Sequence, residues 1–168
     1  MAWFFDDIIR QSEFEHGGYR VNQISGVMVN TPQFLTDKHQ IVDEQSFLNY
    51  ISRLEEFDRV IGEVNVRVLD DRDNGTVPPD FVIEKALMGM RSFSGSGAEA
   101  NPLIATLPAK LEKLDDISME RKAELTQQAV AVVEGKILPQ YAEMIAVFEG
   151  LLATSNHDAG NWLPLRPI

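Results

Sequence analysis

The stretch DEQSFLNYISRLEEFDRVIGEVNVRVL, from Asp43 to Leu69, decides the fold class. Phe47, Ile51, Leu54, Phe57, Ile61, Val64 and Val68 recur in steps of three and four, which places them in one apolar stripe on a helix. Arg53, Glu55, Glu56, Arg59 and Glu63 lie largely off that stripe and form its wet side. Asp43 is the expected N-cap, with Glu44 in the first turn, where the helix dipole favours negative charge. The run Asp70-Asp71-Arg72-Asp73-Asn74-Gly75 ends the helix. Pro78-Pro79 then prevents it from resuming, because proline donates no backbone hydrogen bond and crowds the preceding turn.

The same period continues downstream. A second helix fits 80–93, with Val82, Ile83, Ala86, Leu87 and Met90 inward, and Ser94-Gly95-Ser96-Gly97 is a flexible break after it. A helix over 102–114 starts with Asn101 as cap and Pro102 in the first turn, where a missing N–H costs nothing. Pro108 predicts a kink or a split within it. The longest helix spans 118–153, capped by Ser118 or Asp116, and Pro139 should bend it. Upstream, 3–15 reads as a short helix stopped by Gly17-Gly18. Residues 19–41 read as an irregular arm, with Val27-Met28-Val29 a brief extended piece, and 154–168 as an irregular tail. The expected architecture is all-α: a bundle of four to six helices, two of them long, forming a single helical domain or fragment over 1–168.

The composition excludes whole classes of function. With 26 acidic against 15 basic residues the formal charge is −11. Residues 1–75 hold seven basic against fourteen acidic side chains and the rest eight against twelve, so neither half offers the basic footprint that nucleic acid requires. The absence of cysteine removes disulfides, thiolate metal sites and thiol nucleophiles. No apolar run approaches the roughly 20 residues of a membrane span, and the first residues do not read as a secretory signal.

Several segments invite chemical readings and fall short of them. Asp70 to Gly75 imitates a calcium loop, but Arg72 and Phe81 stand where ligands are needed, so it reads as a solvated helix-to-turn junction. The Ser-Gly-Ser-Gly run has neither the preceding strand nor the Lys-Ser/Thr ending of a phosphate loop. His16, His39 and His157 are isolated: Glu13–His16 and His39–Asp43 supply one carboxylate each, short of the three or four ligands zinc takes. His16 reads as a helix-end residue and His39 as a surface or hinge residue. Glu55-Glu56, Asp70-Asp71 and Asp115-Asp116 are adjacent in sequence, point about 100° apart on a helix, and read as solvated faces. No residue is assigned as catalytic, cofactor-binding or metal-ligating.

A family resemblance is carried by Phe34-Leu35-Thr36-Asp37-Lys38-His39, Tyr50-Ile51-Ser52-Arg53-Leu54 and Gly75-Thr76-Val77-Pro78-Pro79-Asp80-Phe81-Val82-Ile83. It continues through Asn101-Pro102-Leu103, Ile137-Leu138-Pro139-Gln140-Tyr141 and Gly160-Asn161-Trp162-Leu163-Pro164. In order and spacing these segments, over about 19–164, resemble the bacterial domain-of-unknown-function family eight-eight-five. The resemblance implies a mostly helical, zinc-peptidase-like protein of the cell envelope or periplasm, often a lipoprotein. It also implies a His-Glu-x-x-Pro-Gly-His metal motif in a further C-terminal half, which no position here matches. The expectation is therefore a non-catalytic helical portion, inactive alone, whose partner is that missing half or a second copy. Zinc and a peptide substrate are expected only in the full-length member. Tyr141, in a kinked helix, is the one residue expected beside a substrate cleft. The alternative is a stand-alone helical protein-interaction module.

Overall fold

A computed structural model describes residues 19–158. The expected helix over 3–15, His16 and the tail from 159 onward lie outside the described residues. Within them the chain is all-α, without a strand. The elements are α1 (Val27–Gln33), a π-helical turn (Phe34–Lys38), α2 (Glu44–Asp73), α3 (Asp80–Ser94), α4 (Gly97–Ala100), α5 (Pro102–Ala105), α6 (Leu107–Leu111), α7 (Met119–Val132), a second π-helical turn (Val133–Ile137) and α8 (Leu138–Leu152).

Local chemistry accounts for the boundaries. Asp43 caps α2 by accepting from the Ser46 N–H at 2.7 Å, and the Ser46 hydroxyl accepts in return from the Asp43 N–H at 2.9 Å. This reciprocal capping box satisfies two donors that the first helical turn leaves without partners. Asn101 accepts from Leu103 N–H at the start of α5, and Ser118 accepts from Arg121 N–H at the start of α7. Pro108 splits its segment into α5 and α6. Pro139 acts one turn earlier than a simple bend would: it cannot donate to the carbonyl four residues back, and the ladder ahead of it slips to π register, with Leu138 N–H on Val133 C=O.

Residues 19–41 correct the expectation of an irregular arm. Val27-Met28-Val29 is helical, and α1 together with its π-helical turn covers Val27–Lys38. Pro32 sits inside α1 and leaves the Met28 carbonyl, four residues back, without its helical donor. The Tyr141 hydroxyl, from α8, donates to that carbonyl at 3.1 Å. Before α1, Gly26 turns at φ 106°, and a Cβ there would lie 2.8 Å from the Arg20 carbonyl oxygen, so the turn admits only glycine. The flexible break expected at 94–97 is also more ordered, since Gly97 opens the single turn of α4.

The core lies where α3 runs along α8 and α2 crosses both α8 and the α7 segment. Phe47, Tyr50, Leu54, Phe57 and Ile61 of α2 are fully enclosed, as are Ile83 and Leu87 of α3 and Tyr141, Met144 and Phe148 of α8. The Tyr141 ring stacks on Phe93 at 4.6 Å and meets Phe57 edge-on at 6.3 Å. The upstream segment joins the same core through Val21, Met28, Leu35 and Ile41. No helix among the described residues is long and apolar enough to cross a membrane.

Candidate functional site

Polar groups gather where the first π-helical turn ends against α2 and α6. His39 is 6% exposed, which corrects the surface half of its surface-or-hinge reading. Its Nε2 lies 3.1 Å from the Ser46 carbonyl oxygen, which can only accept, so Nε2 carries the proton. Arg53 Nη1, which can only donate, closes on the other ring nitrogen, Nδ1. The Arg53 contact requires the neutral ring, whereas the Ser46 contact is made by either form. Burial holds its pKa below the ordinary 6.5, the nearby Arg53 and Lys110 charges push the same way, and the Ser46 contact opposes them.

Lys110 reaches into this cluster from α6 and donates to Leu35 C=O at 2.8 Å and His39 C=O at 2.9 Å. Burial lowers its pKa, with Asp37 acting against that. Tyr50 packs its ring 5.2 Å from the imidazole, and its hydroxyl donates to Leu103 C=O at 2.6 Å. Burial raises the Tyr50 pKa, so the hydroxyl stays protonated. Arg53 also covers the half-exposed Phe34 ring at 5.5 Å. The Ser46 hydroxyl is close in sequence but committed to the α2 cap, donating to Asp43 C=O at 2.7 Å. Ser46 and His39 therefore meet through a backbone carbonyl and not through the hydroxyl that nucleophilic catalysis would use.

Tyr141 is fully enclosed in the core, facing Met28, Phe57 and Phe93. Its pKa is raised by burial. The helix ends at Asp73, beyond the expected Leu69, and Asp71 turns inward at 4% exposure, which corrects the solvated reading of Asp70-Asp71. Arg20 Nε donates to the Asp71 carboxylate at 3.0 Å beside a shallow depression walled by Val21, Val68, Pro78 and Phe148. His157 stays exposed, 2.8 Å from Asp80 and edge-on to Phe81. Among the described residues, no three His, Asp or Glu side chains converge on a point where a metal could sit.

A model of the family described as "Bacterial protein of unknown function (DUF885)" matches residues 4–164. The chain belongs to this family. A crystal structure named as a putative lipoprotein from Colwellia psychrerythraea superposes with a TM-score of 0.82 at 27% identity, over 84% of the present chain. The chain spans 24% of that structure's length. No curated protein matches. The DUF885 segment containing Phe34 to His39 thus supplies Leu35 and His39 to the polar cluster, and the segment around Tyr50 supplies Tyr50 and Arg53.

Sequence reasoning missed Arg53, Lys110, Arg20 and Asp71 as a group. For Asp71 a signal was present: the stripe Phe57, Ile61, Val68 continues at helical spacing onto 71. Asn65 lies on that stripe too. It is 3% exposed, and neither amide atom has a hydrogen-bond partner. An unpaired buried amide costs about 1–3 kcal/mol, so Asn65→Leu is expected to raise stability by about 1 kcal/mol. Chemical denaturation checks this, and a loss of stability would show that the amide is satisfied in solution.

Proposed function

We propose that this chain is a non-catalytic helical portion of the larger DUF885 architecture. In this reading metallopeptidase-like chemistry and its zinc belong to other parts of that architecture, and the setting is the bacterial cell envelope. The observation that carries the reading is the state of His39. It is the buried histidine among the described residues, and both of its ring nitrogens are spent on internal contacts. A histidine so held offers neither a lone pair to a metal nor a base to a substrate. The span of 24% of the Colwellia chain supports the assignment of activity to a longer protein, and the neighbour's lipoprotein name supports the envelope.

The role left to the chain is scaffolding: a preformed helical wall against which the remainder packs. Elemental analysis after equilibration with zinc and gel filtration tests it. The expected result is a folded, cooperatively melting chain with zinc far below one ion per molecule. Retention of one zinc per chain, lost on mutating His39, would overturn it.

A further inference from the structure

We propose that His39 is an acid-sensitive latch, which holds residues 34–42 against α2 and α6 while neutral and releases them when its ring is protonated. The proposal stands on geometry and is independent of the scaffold reading. Nδ1 faces the Arg53 guanidinium, a group with donors and no lone pair, so a proton added to Nδ1 sets N–H against N–H and removes an acceptor. Turning the ring would break the Nε2–H contact to the Ser46 carbonyl, and Tyr50 packs against it with ring centroids 5.2 Å apart.

The charged neighbours sharpen the effect. From α2 the ring meets Arg53, and from α6 it meets Lys110, whose Nζ also binds the His39 carbonyl. Asp37, beside Lys110, is the nearby carboxylate, and Tyr50 is uncharged. The Asp43 carboxylate, on the other side, is held by the Ser46 N–H at the α2 cap, and protonation adds a third cation beside Arg53 and Lys110. The latched stretch contains Leu35 and Ile41, both buried, so its release uncovers apolar surface beside the already half-exposed Phe34. The proton has a route, since Arg53 and Phe34 lie at the surface.

The sign follows from linkage. A ring whose folded pKa lies below 6.5 binds fewer protons when latched than when released, so the latch is fully present above pH 6.5 and weakens as pH falls below it. The test is amide hydrogen exchange of residues 34–42 in the whole chain between pH 7.5 and 5, corrected for the intrinsic pH dependence of exchange. The wild type is expected to show a rise of about tenfold in opening of this stretch, with the α2–α8 core unchanged. His39→Gln can still accept from Arg53 and donate to Ser46 but does not titrate, and its opening should be flat with pH. His157→Gln should behave as wild type. A pH-independent wild type, or the same rise in His39→Gln, overturns the proposal. If His39→Gln does not fold, the wild-type histidine NMR titration decides. A common midpoint for the His39 ring and the 34–42 amides supports the latch, and different midpoints overturn it.

Discussion

Phe57→Ala is expected to cost about 3–5 kcal/mol of unfolding free energy, the range for truncating an enclosed aromatic residue. Phe57 is 2% exposed at the centre of the α2 stripe and meets Tyr141 edge-on at 6.3 Å. The ring therefore links two helices far apart in sequence, and its loss leaves a cavity that Phe93 and Tyr141, already stacked, cannot fill without moving. Phe148→Ala, at 1% exposure on α8, should fall in the same range. Urea denaturation followed by circular dichroism measures both. A loss under about 1 kcal/mol would mean that the α2 stripe is not core.

The second large effect concerns the attachment of the upstream segment. Lys110→Met keeps the aliphatic stem but removes the ammonium that satisfies the Leu35 and His39 carbonyls. Leu35 C=O lies in the π-helical turn, where the chain becomes extended at His39 and no backbone N–H remains to continue the ladder. Two carbonyls in a half-buried setting lose a charged donor together, and about 2–3 kcal/mol is expected. Burial already lowers the Lys110 pKa, so part of the loss is returned by relieving that desolvation, which keeps the figure at this modest size. A change under about 0.5 kcal/mol would show that water replaces the lysine at both carbonyls.

These two residues also mark what the sequence could and could not reveal. Phe57 was legible because helix periodicity is local: residues three and four apart share a face whatever the rest of the chain does. The caps at Asp43, Asn101 and Ser118 were legible for the same reason, as each accepts from an N–H two or three residues along. Residues 27–38 were not, because Gly26 and Pro32 both signal a break. The compensation for Pro32 comes from Tyr141, 113 positions away, and that for the π-helical turn from Lys110, 75 and 71 positions away.

The polar cluster was illegible on similar grounds. His39 reads as a surface residue between Lys38 and Gln40, and only the approach of α6 and the side of α2 bearing Arg53 bury it. Pro139, beside Tyr141, predicts a kink. The proline instead sets a π-helical turn, after which the Tyr141 ring enters the core. The family resemblance was legible in order and spacing, and membership over residues 4–164 agrees with it.

In the proposed function this chain supplies helical structure to a DUF885 architecture and no chemistry of its own. The most direct measurement is hydrolysis of a mixed fluorogenic peptide library by the purified, folded chain, with zinc supplied and then removed by chelator. The expected result is a cooperative helical melt and no turnover above the buffer rate under either condition. Zinc-dependent turnover that co-purifies with the folded chain and disappears on chelation would contradict it.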